Sequence, residues 1–295
     1  MKETTSPQFS YFYSALGMVL FASLVALYFT PLKDIALICW NDDDYSHGLI
    51  LPLVMFYMWW DRREFILKKF TQDSPGNSLG LNIICGILLL IGVGILGLGV
   101  ASHLSFFSWI SFFPVLLGIV GLTFGKNVLS IFAGPFLLLY MAKPLPDSVV
   151  VRIFWPLQVL AAKIAAFTLE VLQVPVYLSG NIIEIPSMKL MVEEACSGMR
   201  SVMALLTLAF IMIYFSTLNA FGKIVLVLSS LALAIVLNVF RVSLTGVLAH
   251  FYDPEAATGF FHEFSGLIVF IVGLPFLFST ATLLSKFKYT RSKEL

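Results

Sequence analysis

LGLNIICGILLLIGVGILGLGV, Leu79–Val100, carries no charged residue and a single amide, Asn82. At 1.5 Å per helical residue this run is about 33 Å long, enough to cross a hydrocarbon core of ~30 Å. Its Gly92-Val93-Gly94 and Gly97-Leu98-Gly99 pairs suit close helix packing in lipid. They do not form a nucleotide loop, because no helix start and no basic partner follows them. Comparable runs lie at Phe9–Phe29, His47–Ile66, Leu104–Phe124, Asn127–Ala142, Cys196–Ser216, Lys223–His250 and Glu263–Leu284. The chain therefore reads as an all-α polytopic membrane protein of about eight transmembrane helices.

Composition agrees. Of 295 residues, 59% are hydrophobic and 12% charged, with 28 Phe, 10 Tyr and 5 Trp. A water-soluble domain is about one quarter charged, so a soluble globular protein is excluded. Eighteen basic and 17 acidic residues leave a net charge of +1, too little to recruit nucleic acid. Lys2 followed by the first apolar run reads as a retained helix that doubles as an insertion signal. Cys39, Cys85 and Cys196 provide neither a disulfide framework nor a CxxC metal site, and no metal or organic cofactor is expected.

Lys143–Ala195 breaks the pattern. Arg152, Lys163 and Glu170 share one helical stripe, on a helix that lies at the interface, re-enters, or turns that stripe to the bundle. Beyond Pro175, the Val176-Tyr177-Leu178, Ile182–Ile185 and Lys189–Val192 pieces read as short strands around a Ser179-Gly180-Asn181 turn. Open strand edges are not tolerated in hydrocarbon, so this piece belongs in water or in the protein interior. The expectation is a single integral-membrane domain over residues 1–295, with 143–195 as an extracytoplasmic or re-entrant insertion.

The basic residues Arg62, Arg63, Lys68, Lys69, Lys126, Lys223, Lys286, Lys288, Arg291 and Lys293 follow alternate spans, and Asp42–Asp44, Asp253 and Glu255 occupy the other connections. The positive-inside rule then puts both termini in the cytoplasm, provided Arg152–Val174 adds no net crossing. All four histidines fall on the opposite side, as does Cys196 at the start of its span. Arg241, 18 residues beyond Lys223, is about 27 Å along its helix and reaches the same depth.

A thiol, a guanidinium and an imidazole at one depth suit acyl transfer. A helix N-terminus and nearby cations favour the thiolate. Arginine can hold an oxyanion, and histidine can take and return a proton. The alternatives at each position are plainer: packing for Cys196, snorkelling for Arg241, helix anchoring for His262, a solvated acidic loop for Asp42–Asp44. A charge within a span is nevertheless a functional hypothesis by default.

Glu194-Ala195-Cys196-Ser197-Gly198-Met199-Arg200, then Asn238-Val239-Phe240-Arg241, then His262 with Gly266, resemble the exosortase/archaeosortase family. So do Tyr45-Ser46-His47-Gly48 and the Pro144-Leu145-Pro146 turn. The resemblance implies a membrane-embedded cysteine protease or transpeptidase in a bacterial inner membrane, its site facing the periplasm. By motif, Cys196 is the nucleophile, Arg241 the arginine and His262 the histidine of the site, with His250 as the other candidate base. Arg200, Glu194, Asn238 and His47 would support the site or bind substrate.

The implied partners are exported proteins ending in a PEP-CTERM-like sorting signal (a short motif, a transmembrane helix and a basic tail), with water or an envelope polysaccharide or lipid as acceptor. Val176–Val192 would pair with the extended motif by β-augmentation. The rival readings are a transporter or exopolysaccharide-export permease without thiol chemistry, and a non-enzymatic scaffold of the envelope.

Overall fold

The computed structural model describes residues 7–72, 78–142, 146–191, 198–252 and 260–291, with the side chains of 1–21, 43–44, 69–72, 147–148, 150–151, 198, 260–267, 269–270 and 287–291 set aside. The chain divides into two compact units, Met1–Lys143 and Pro144–Leu295.

The first unit begins with α1 (Pro7–Asn41). A 3-10 segment (Asp43–Leu49) follows, then α2 (Leu51–Asp61), α3 (Arg63–Gln72), α4 (Leu79–Ser102), α5 (Ser105–Leu139) and a 3-10 turn at Tyr140–Ala142. α1 runs twelve residues past the expected end at Phe29, straight through Pro31. Its buried positions Tyr28, Ile35 and Cys39 are spaced seven and four apart, so one apolar stripe continues across the proline. The expected span His47–Ile66 is divided: the 3-10 segment holds its start, and α2 ends at Arg62, whose N–H closes onto the Trp59 and Trp60 carbonyls.

α4 and the first arm of α5 form an antiparallel hairpin at very short range. A Cβ added at Gly92 would lie 2.8 Å from the Val115 backbone nitrogen, and at Gly99 2.6 Å from that of Ser108. Small residues admit this approach, as the glycine pairs suggested. α5 reverses at Gly125, whose φ of 81° and ψ of −179° suit glycine alone. In a straight helix Ile110 and Tyr140 would stand about 45 Å apart. Instead the Tyr140 hydroxyl donates to the Ile110 carbonyl. The two expected runs 104–124 and 127–142 are thus two arms, and Trp59 of α2 packs on Phe132 and Phe136 of the second.

The second unit contains α6 (Asp147–Val171), β1 (Tyr177–Ser179), β2 (Ile182–Ile185), β3 (Met188–Met191), α7 (Gly198–Phe215), α8 (Ala220–Phe251) and α9 (Phe260–Arg291). The strands form an antiparallel sheet in the order β1-β2-β3, with Ser179 opposite Ile182 and Ile185 opposite Met188. Gly180 turns the first hairpin at φ +63°. Ile183, Ile185 and Leu190 bury one face of the sheet against Ala162, Ala165, Ala166 and Leu169 of α6 and Val242 and Ala249 of α8. On the other face Glu184 and Lys189, directly opposed, form an exposed ion pair at 2.6 Å. The three short strands are those expected from the sequence, in a sheet with one packed and one charged face. Arg152, Lys163 and Glu170 are all exposed, so their stripe faces away from the core of this unit and the alanine face of α6 packs.

Among the described residues, five helices are long and apolar enough to cross a membrane: Ala22–Asn41, Leu79–Ser102, Ser105–Ala142, Arg152–Val171 and Ala220–Phe251. Shorter apolar stretches lie at Met199–Phe215 and Ile271–Lys286. The chain is an all-α polytopic membrane protein with one small sheet. α6 has the length and composition of a crossing helix, although the sequence reading of the termini counted no crossing there.

Candidate active site

Three of the expected site residues lie on two packed helices of the second unit. Arg200 stands half-buried in the first turn of α7. Asn238 and Arg241 occupy α8, one turn apart on one face, 4% and 6% exposed. α7 and α8 pack through Val202, Leu205 and Ala209 against Leu226, Leu233, Ala234 and Leu237. Their register is visible at a recess where Met199 of α7 and Asn238 of α8 meet Gln158 of α6, with Val202 beside Ala234 and Ile235 one turn deeper. The space open to a water centre is ≈ 20 Å³, room for about one water.

The polar groups here are unusual for an apolar bundle. The Oδ1 atom of Asn238 is buried and accepts no hydrogen bond among the described residues. A buried acceptor left open costs about 1–3 kcal/mol, so it is stable only where something else supplies a donor. Thr245 satisfies its own hydroxyl by donating to the Arg241 carbonyl at 2.9 Å. Gln158 escaped the sequence reading. The available signal was its place on the α6 stripe, four residues after Phe154 and three before Ala161, where a polar residue interrupts an otherwise apolar face.

Cys196 and Glu194 fall at 192–197, outside the described residues. Cys196 precedes Met199 by three residues, and Arg241 follows Asn238 by three. His262 belongs to α9, and its side chain is outside the described set. α9 packs on α7 where Gly273 meets Leu205; a Cβ at Gly273 would lie 2.6 Å from a Leu205 methyl. His262 is eleven residues before Gly273 on α9, about 16 Å at helical rise, and Cys196 is nine residues before Leu205 in the sequence. His250 closes α8, its ring 4.8 Å from that of Phe251.

His47 lies in the first unit. Its Nε2 donates to the Met141 carbonyl at 3.1 Å, while the Cys39 thiol donates to the Ala142 carbonyl at 3.3 Å. A Cβ at Gly48 would come within 2.6 Å of the Cys39 sulfur and 3.1 Å of Ala142 Cβ. The Tyr45-Ser46-His47-Gly48 segment is therefore seated on the turn that leads to Pro144-Leu145-Pro146, a motif outside the described residues except for Pro146. Cys39 and Cys85 are buried and form no disulfide. No group of three His, Cys, Asp or Glu able to hold a metal occurs among the described residues.

Comparison with known proteins adds one match. No curated protein and no solved structure matches the chain. The model of the transmembrane exosortase family matches residues 39–279, from Cys39 in the last turn of α1 to within α9, and so takes in both units and every site residue named above. Over four fifths of its length, then, this chain belongs to the transmembrane exosortase family, a family of membrane-embedded sorting cysteine peptidases.

Proposed function

We propose that the protein cleaves the C-terminal sorting signal of exported proteins through a Cys196 acyl-enzyme, at the periplasmic face of a bacterial inner membrane. The observation that carries this reading is the α7–α8 register. Met199 and Asn238 line one recess. Arg241 stands one turn beyond Asn238 on α8, and Cys196 precedes Met199 by three residues in the sequence.

In the proposed mechanism the substrate's single transmembrane helix sets the scissile carbonyl at the thiolate of Cys196. The sulfur adds to the carbonyl carbon, and the developing oxyanion is held by Arg241, with Arg200 close by on the α7 first turn. His262 gives a proton to the departing amine as the C–N bond breaks. Water, or an amine or hydroxyl of an envelope polysaccharide or lipid, then attacks the thioester, gives up its proton to His262, and frees Cys196. Glu194 and Asn238 support this set; the open Oδ1 acceptor of Asn238 suits a donor on the substrate. The edge of β3, which runs into the segment of Cys196, suits the extended motif ahead of the cleaved bond.

The test is a processing assay in membranes. It follows a reporter with a PEP-type motif, a transmembrane helix and a basic tail, comparing wild type with Cys196→Ala and Cys196→Ser at matched expression. The wild type should shorten the reporter and both variants should leave it intact. Normal processing by Cys196→Ala would eliminate the thiol mechanism and with it the enzyme reading.

A further inference from the structure

The first unit contains a groove that the proposed chemistry does not use. It runs between α1 and the two arms of α5, with ≈ 540 Å³ of open space, and its walls include Leu24, Tyr28, Leu32, Phe112 and Phe136. The floor is fixed. Tyr28 is 1% exposed, its hydroxyl pairs with Ser111 Oγ at 2.9 Å, and its ring meets Phe112 edge-on at 5.0 Å. The groove is open on one side, where Phe29 and Leu32 are exposed, so in the bilayer an apolar chain can enter it.

Two features define that occupant. Lys33 lies at one end of the groove; it is exposed and makes no ion pair among the described residues. The adjacent carboxylate, Asp34, turns instead to α5, where it accepts from Ser105 Oγ at 3.3 Å. The second feature is depth. Asp34 accepts from Ser105, the first residue of α5 directly after the α4–α5 turn, so Lys33 stands at the level where that hairpin leaves the hydrocarbon, close to the lipid phosphates. From Leu24 to Lys33 is nine residues, about 14 Å, close to the depth of one leaflet.

We infer that this groove is a binding site for an anionic phospholipid, one acyl chain lying along α1 and the phosphate meeting the Lys33 ammonium. A transmembrane helix is the other membrane-soluble occupant; an apolar helix leaves the Lys33 ammonium unused, whereas an anionic headgroup pairs with it. The site is independent of the proteolytic reading, and its test needs no substrate.

The full-length protein, purified in non-ionic detergent, is exchanged into mixed micelles with equal amounts of phosphatidylglycerol and phosphatidylcholine of identical chains, and retained lipid is counted by native mass spectrometry. Wild type should keep one phosphatidylglycerol in preference to phosphatidylcholine by about fivefold, the effect of one lysine near an anionic headgroup. Lys33→Ala should lose the preference and Lys33→Arg should keep it. Leu116→Trp, which fills the groove from the α5 wall, should lose bound lipid altogether. Leu32→Trp, on the exposed side of α1, does the same from the opposite wall and serves if the first variant elutes as an aggregate. Inorganic phosphate should not displace the lipid, because the chain and not the phosphate fills the groove. Equal retention of the two lipids by wild type, an unchanged preference in Lys33→Ala, displacement by phosphate, or a bound polypeptide in place of lipid would each overturn the inference.

Discussion

The contact between Gly246 of α8 and Leu169 of α6 fixes where the sheet stands relative to Arg241. A Cβ at Gly246 would lie 2.8 and 2.9 Å from the two Leu169 methyls and 3.4 Å from Leu190 Cδ1 on β3. Ordinary carbon contacts fall near 3.5–4.0 Å, so two of these are too close by more than half an ångström. Leu169 is fully buried among Ala165, Ala166, Ile183 and Leu190 and has no room to withdraw. Gly246→Ala is therefore expected to carry an overpacking penalty of about 1–3 kcal/mol, offset by about 1 kcal/mol of helix propensity. Leu169→Ala removes the colliding methyls and leaves a cavity, at about 2–5 kcal/mol.

The informative variant is the pair. With Leu169 truncated, the new methyl at position 246 enters vacated space and keeps its propensity gain. The double variant should then be more stable than the sum of the singles by about 1–3 kcal/mol, the range seen for residues in contact. The assay is a denaturant titration in mixed micelles, followed by tryptophan fluorescence for wild type, both singles and the double. Additivity within about 0.5 kcal/mol would show that the two residues do not meet, and would undo the placement of the sheet on α8. A wild-type background stabilised by Gly246→Ala would do the same.

Two further expectations concern other parts of the chain. Gly125→Ala places a side chain at φ 81°, ψ −179°, a conformation essentially reserved for glycine, and should cost about 1–3 kcal/mol; an unchanged unfolding midpoint would contradict the reversal of α5. Asn238→Leu should abolish reporter processing while leaving stability equal or higher by up to about 1–3 kcal/mol, because it removes a buried acceptor that has no partner among the described residues. Loss of folding in that variant would make Asn238 a scaffold residue.

How much of this was legible beforehand depended on whether one element could be judged by itself. α4 was readable because an uncharged run of its length has one solution in lipid. The strands were readable from β-branched residues around Gly180, and the observed register closes the hairpin there. α1 was cut short at Phe29 because Pro31 and the Lys33-Asp34 pair look like an ending, whereas the stripe Tyr28, Ile35, Cys39 keeps its partners and carries the helix on to Asn41. The 3-10 start of the span depended on the seat that His47 and Gly48 find on Met141 and Ala142, a contact across more than ninety residues that no local pattern encodes. Among the site residues, Arg241 stood out by chemistry and Asn238 only through the family resemblance, while Gln158 acquires meaning only when α6 is laid against α8.

Two buried hydroxyls of α8 are satisfied within their own helix, whereas Ser243 Oγ and Asn238 Oδ1 are buried with no hydrogen-bond partner among the described residues. Ser230 donates to the Val227 carbonyl at 2.7 Å and Thr245 to that of Arg241 at 2.9 Å, so each hydroxyl is absorbed by its own helix and needs nothing from outside. An amide and a guanidinium offer several donors or acceptors at the end of a longer side chain, too many for one carbonyl a turn away. Within a membrane-spanning helix an arginine costs about 2.5–3.5 kcal/mol even on the mildest scale. The neighbours at these levels, Leu237 and Val242, show that apolar side chains pack there readily. Stability alone would have chosen leucine at both 238 and 241. Retaining an asparagine whose Oδ1 has no hydrogen-bond partner among the described residues, one turn from a buried arginine, fits the proposed site, in which a substrate donor would complete it.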